Sequence, residues 1–232
     1  MSEIQFFKDI TESATITEDG ELLRGGKSTA QIIQECNESA HIPQRFANAR
    51  FYDHSDIIWH RKDGTEENIT QAFKAFCLNK SNDKVFGLSG STGTGKTTLA
   101  CAGMHERAVN GMAPGLYLSC RTLKPMIMTS RSFKASESEM DIYNKYASTP
   151  FLILDEIGKC TDSQLEWDFV TTIFALRYDN EKPTVFTTNL NYEQFRVFIL
   201  ADLNRGADIY DRLKTCLIPE VMAGESFRGK HD

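Results

Sequence analysis

The sequence predicts a three-layered α/β fold: helices on both faces of a mainly parallel sheet of five strands, with no sizeable C-terminal lid. Three observations carry this prediction. A glycine-rich loop, residues 90–97, stands between a short apolar run and a helix-forming run. A second apolar run, Phe151 to Leu154, ends in the adjacent acids Asp155 and Glu156. Around these two features strand-like and helix-like stretches alternate, and that order builds parallel sheets.

The 232 residues suffice for one full core and a short appendage. Two segments are expected: an acidic N-terminal arm and helix over 1–40, and the nucleotide-binding domain over 41–232. Residues 1–40 hold eight acids and three bases, which is most of the net charge of -6. An acidic balance argues against an indiscriminate nucleic-acid coat. The six cysteines form no CxxC pair and have no histidine at metal-ligand spacing, so they are read as reduced thiols. The N-terminus lacks a basic region followed by an apolar core, and no run approaches the roughly 18 apolar residues of a membrane span. A cytoplasmic protein with no membrane partner is expected.

Residues 1–27 read as a loosely held docking arm or as disorder. Ser28 to Gln31 reads as a capping box that opens a helix through Ile32 and Ile33. Pro43 stops that helix, and Phe46 and Phe51 are assigned to the core. Glu66 to Asn79 has the period of an amphipathic helix with Ile69, Phe73 and Phe76 on one face. Lys84 to Ser89 is a buried-type strand, Thr97 to Asn110 a helix ended by Gly111, and Gly115 to Ser119 the next strand. Arg121 to Arg131 is expected as a helix interrupted near Pro125. Ser136 to Glu139 caps a short helix with Met140, Tyr143 and Tyr146 on one side. Thr161 to Gln164 caps a helix running to about Asp179. Thr184 to Thr188 is a strand closing on Asn189, Asn191 to Gln194 opens a helix, another begins near Asp208, and Cys216 to Val221 is the last strand. One strand lies between the phosphate-loop strand and the acidic strand, the mark of the additional-strand branch of P-loop ATPases.

Gly90-Ser91-Thr92-Gly93-Thr94-Gly95-Lys96-Thr97 fits GxxxxGK[ST] at every fixed position. Glycines let backbone N–H groups face inward as an anion nest, and the following helix adds its positive end. This loop, with Thr98 behind it, is expected to hold ATP. Lys96 reaches the β- and γ-phosphates, while the Thr97 hydroxyl and Asp155 hold Mg²⁺. Glu156 is expected to polarise the attacking water, and Asn189 at a strand tip to hold that water and sense the γ-phosphate; a turn role is the alternative for Asn189. Between Glu106 and Glu137 there is no acid, whereas Arg107, Arg121, Lys124, Arg131 and Lys134 are basic and Phe133 is aromatic. Such a strip is either a groove for single-stranded nucleic acid or a solvated surface.

Residues 42–228 resemble the AAA+ ATPases that load bacterial replicative helicases, the DnaC/IstB-like group. The likeness rests on Ile42-Pro43-x-Arg45-Phe46, the glycine loop, Leu152 to Gly158, Arg177-Tyr178, Lys182-Pro183-Thr184, Thr187 to Leu190, Asp211-Arg212-Leu213 and Gly224 to Arg228. The resemblance implies an AAA+/ASCE core that self-associates through its ATP sites, grips single-stranded DNA and delivers a hexameric helicase. It implies that Arg212 is an arginine finger for the neighbouring subunit and Arg228 a second sensor. It places DNA-facing helices at 121–134 and the helicase-holding part in the acidic arm. Asp208 stands where the group often has a second arginine, with Arg205 nearby, and the arm lacks the zinc-type cysteines of some loaders. A transposition helper ATPase shares this core, and a nucleotide-gated binding module with little turnover is the third reading.

Overall fold

The computed structural model describes residues 14–16, 22–51, 58–60, 66–80, 84–133, 135–213 and 220–221. An antiparallel hairpin of β1 (Ala14–Ile16) and β2 (Leu22–Arg24) leads into α1 (Thr29–Ala40). Ser28 caps α1 in the expected box, its hydroxyl accepting from Gln31 N and its own N–H donating to the Gln31 side chain. Ile32, Cys36 and Ala40 turn inward and join the main core, so this helix is packed on the sheet domain.

A second hairpin pairs β3 (Ile58–His60) with β4 (Glu66–Asn68), followed by α2 (Ile69–Cys77). The helix predicted from Glu66 is therefore shorter. Its first three residues are drawn into strand pairing, because the partner strand offers them ladder bonds that a helix N-terminus leaves unmade.

The central sheet follows: β5 (Val85–Ser89), β6 (Leu116–Ser119), β7 (Leu152–Ile157) and β8 (Thr184–Thr188), ordered β6-β7-β8-β5 and all parallel. The strand that separates β5 from β7 in space is β8, whereas β6, which separates them in the chain, lies at the far edge. These are the four full strands. The fifth is two residues, β9 (Glu220–Val221), parallel to the outer edge of β5. The predicted strand from Cys216 is thus shorter, and residues 214–219 lie outside the described residues.

Side chains alternate across the sheet, as strands require. Ile153 and Val185 face one layer with Leu99, Phe73 and Phe76; Leu152, Leu154 and Phe186 face the other with Phe169, Ile173 and Phe174. The first layer is α1, α2 and α3 (Lys96–Val109). Gly103 lets α2 and α3 meet, since a Cβ there would stand 2.5 Å from Cys77 Sγ. The second layer comprises α4 (Leu123–Ser130), α5 (Glu139–Ser148), α6 (Ser163–Asp179), α7 (Tyr192–Ile199) and α8 (Leu203–Leu213).

Two further boundaries differ from the sequence reading, besides the cap of α5, which is Ser138 and not Ser136. Pro125 does not interrupt its helix, because α4 starts only at Leu123, after a short 3-10 turn, and a first-turn proline has no N–H to lose. Helix α8 begins at Leu203 and not near Asp208; its Gly206 N–H bonds to Asp202 O at 2.7 Å.

Arg177 locks this layer. It is fully buried, and its guanidinium donates to the carbonyls of Tyr146 and Thr149 at 2.8 Å each, to Pro183 O at 2.7 Å and to Thr184 Oγ1 at 2.8 Å. Burial pushes its pKa down to about 9. Five cysteines are free thiols, and Cys216 lies outside the described residues. Among the described residues no helix is long and apolar enough to cross a membrane.

Candidate nucleotide site

The loop after β5 turns because its glycines adopt conformations that side chains resist. Gly90, Gly93 and Gly95 have φ of 146°, 93° and 85°. Gly95 is also the N-cap of α3, so the helix's unpaired N–H groups open onto the loop. Lys96, buried, curls back: its ammonium donates to Gly90 O at 2.8 Å and Ser91 O at 2.6 Å. Thr94 braces the turn by donating to Ser91 O at 3.0 Å. The cation therefore rests on the loop's own carbonyls. Ser91 and Thr92 are exposed at the loop's rim, and Thr98 is half-buried in the first turn of α3.

The acids of β7 meet this loop. Asp155 has no exposed surface, and its carboxylate accepts three hydroxyls: Thr97 at 2.7 Å, Thr187 at 2.6 Å and Tyr117 at 2.6 Å. Between β7 and β8 the register jumps, from Leu154 opposite Phe186 to Ile157 opposite Thr188, so β7 carries one extra residue. That bulge falls on the two acids. Glu156 takes a left-handed φ of 62°, and its N–H, displaced from the ladder, donates to Thr187 Oγ1 at 3.0 Å. Regular alternation would send adjacent side chains to opposite faces; a bulge re-aims one of them.

Glu156 is half-buried, and its Oε2 is ion-paired with Arg121 Nε and accepts from Ser119 Oγ at 3.4 Å. The tip of β8 closes the site. Asn189 Nδ2 donates to Thr92 Oγ1 at 3.1 Å, and Ser89 Oγ donates to Leu190 O at 2.7 Å. Behind the acids, buried Glu166 of α6 accepts from Gly158 N at 2.8 Å. Burial raises its pKa, against the pull of the backbone N–H groups of Gly158, Cys160 and Lys159.

Lys96, Thr97, Asp155 and Asn189 are thus linked to one loop by hydrogen bonds, with Glu156 beside Asp155. The donor set fits Mg²⁺. One hydroxyl and one carboxylate, 2.7 Å apart, is the sparse protein contribution such an ion takes when phosphate oxygens and water complete its shell. Among the described residues no group of three or more His, Cys, Asp or Glu is disposed to hold a metal alone.

The remaining predicted residues lie elsewhere. Arg212, near the end of α8, pairs with Asp179 of α6 at 2.7 Å and stands over the Tyr178 ring. In the basic strip, Lys124 faces Asp162 at 3.7 Å, Arg131 pairs with Glu139 at 2.7 Å, and Phe133 is fully exposed. Lys134 and Arg228 lie outside the described residues. Tyr117, Thr187 and Glu166 have no site role in the sequence reading, although Thr187 falls within one of the stretches that carry the family resemblance. Nothing local marks them, since each is brought to the acids by strand register or by the α6 packing.

A family described as IstB-like ATP binding protein matches residues 47–232. The replicative helicase loader DnaC of Escherichia coli K12 is 29% identical over 129 residues, 56% of this chain and 49% of that protein. The chain thus spans about half the length of that relative. DnaC of Buchnera aphidicola is 23% identical over 189 residues, 81% of this chain and 72% of the relative. Among solved structures, the DnaC helicase loader superposes with a TM-score of 0.54 at 22% identity, over 79% of this chain and all of that one. DnaI gives 0.58 at 20% identity, over 78% of this chain and 95% of that one. At such identities the two structures speak for the fold: a P-loop α/β core with a parallel sheet.

Proposed function

Because the chain belongs to the family of IstB-like ATP-binding proteins, we propose that it is an ATP-hydrolysing helicase loader. In this reading it binds single-stranded DNA and delivers a hexameric replicative helicase as DNA replication begins. The observation that carries the ATP part is the convergence of Lys96, Thr97, Asp155, Glu156 and Asn189 from three strand ends around one glycine loop. The loader part is supported by the likeness to proteins named replicative helicase loaders across most of the chain.

The residues divide the work as follows. Loop N–H groups and the α3 terminus take the phosphates, and Lys96 leaves its loop carbonyls for the β- and γ-phosphate oxygens. Thr97 and Asp155 hold Mg²⁺, and Thr187 and Tyr117 fix the carboxylate for it. When bound, the ion offsets negative charge on the phosphate oxygens. Glu156 orients the attacking water and draws on its proton, and the Asn189 amide fixes the water's other side. Arg212 of an adjacent copy stabilises charge developing on the γ-phosphate, so turnover requires self-association. Lys124, Arg131, exposed Phe133 and Lys134 receive the single strand. Arg121 joins that strip to the site, since its guanidinium rests on Glu156.

The acidic segment over 1–40, which includes the exposed face of α1, is the proposed helicase-holding part, residues 1–27 being its arm. Co-purification of the full chain and a chain lacking residues 1–27 with a hexameric replicative helicase, with and without ATP, tests the reading. The loader reading expects ATP-sensitive capture that is lost with the arm. Capture of a transposase and no helicase would instead support a transposition helper. A nucleotide-gated module that hardly turns over ATP leaves Glu156 without a task.

A further inference from the structure

Beside Glu156, away from the glycine loop, the domain entrance and the end of β6 enclose a cleft of about 690 Å³. That volume falls within the range of small-ligand sites. One wall is the turn after α1, with His41 and Arg45; the other is the end of β6 and the start of α4, with Arg121 and Met126. Tyr117 and Tyr146 also line it.

The charge of this cleft runs against that of the chain. Arg45 and Arg121 face one acid, Glu156, in a protein whose net charge is -6. Glu156 is already engaged by Arg121. Arg45 is exposed, lies 4.5 Å over the Phe46 ring, and among the described residues pairs with no carboxylate. His41 is the C-cap of α1 with φ of 59°, a left-handed conformation that glycine or asparagine adopts more readily. Strain at a position where a ring faces a cleft points to a use for that ring.

We propose that this cleft, which adjoins the ATP site at Glu156 and Tyr117, is a second binding site for one phosphate-bearing nucleotide unit. The phosphate lies between Arg45 and Arg121, with His41 at its edge. The base lies against Met126 and the Tyr146 wall. Two guanidinium groups suit a phosphate because each offers paired N–H donors, and an apolar, aromatic wall accepts any base face. The unit is either a nucleotide of a single strand or a free nucleotide. The strand source rests on the DNA binding proposed above; the free source does not.

The test uses the full chain with its ATP site filled by a non-hydrolysable ATP analogue. Binding of a fluorescent oligothymidylate and of fluorescent thymidine monophosphate is measured for wild type, Arg45→Ala, Arg45→Lys and His41→Asn, the last keeping the cap. Arg45→Ala is expected to weaken binding roughly tenfold and to lower the salt slope of strand binding by about one, with Arg45→Lys recovering part. Affinity for the ATP analogue stays unchanged. Loss confined to the oligonucleotide assigns the site to a strand, and loss for both probes extends it to free nucleotides. If wild type binds the strand and Arg45→Ala and His41→Asn bind both probes equally well, the cleft is refuted and the DNA reading stands. If wild type binds only the mononucleotide, through Arg45, the cleft stands and the DNA reading fails. Binding of neither probe by wild type overturns both.

Discussion

At Asp155 a carboxylate without exposed surface is held by three hydroxyl donors. Thr187 has a double duty there, donating to Asp155 and accepting from the displaced Glu156 N–H. Thr187→Val keeps the shape and removes both bonds. It is expected to cost about 1–3 kcal/mol of stability, the penalty of an unpaired buried group, and to depress ATP turnover more than ATP binding. Denaturant titration and a turnover assay check the two parts, and unchanged stability with unchanged turnover would contradict the role. The loop Gly90 to Thr97 was legible because its eight residues are contiguous and each fixed position has its own chemistry. Thr187 was not, since its importance comes from lying opposite a bulge 31 residues earlier in the chain.

Among the elements, β7 decides the site. Its apolar run and terminal acids announce a buried strand, but the extra residue at 155–156 shows only in the pairing with β8. Capping boxes at Ser28 and Asn191 and the cap at Asp162 were readable because a cap is a local bond between side chain and backbone. The antiparallel strand pairs β1–β2 and β3–β4 were missed for the opposite reason: a two-strand ladder leaves little imprint on periodicity. Arg177 belongs to this scale as well, since it ties the end of α5 to the start of β8. Arg177→Met fills similar space but removes the guanidinium's bonds to the carbonyls of Tyr146, Ala147, Thr149 and Pro183, of which Pro183 O keeps the Leu152 N–H. It is expected to destabilise the fold by about 3 kcal/mol, roughly a 10 °C drop in Tm. Calorimetry reads this directly; a Tm within 2 °C or so of wild type would show that water replaces the guanidinium.

For the whole molecule, a mainly parallel sheet was legible from a phosphate loop after one strand and paired acids after another, whereas the order β6-β7-β8-β5 was not, because chain order put β6 and space puts β8 between the two. What the sequence could not place was Arg212 relative to that site. Within one copy it pairs with Asp179 of α6, and the contact proposed for it is with the nucleotide of a neighbouring copy. Arg212→Ala is therefore expected to bind ATP as wild type does and to lose about a thousandfold in turnover. Mixing it with a Lys96→Ala chain should restore part of the activity, because each copy then supplies what the other lacks. No restoration, or full turnover in Arg212→Ala alone, would count against a shared site.

The most direct measurement compares Glu156→Gln with wild type for ATP affinity and single-turnover hydrolysis. A carboxylate that polarises water at this triphosphate predicts wild-type affinity and a rate lower by at least about a hundredfold. Hydrolysis at the wild-type rate in Glu156→Gln would mean that the acids of β7 face a different chemistry.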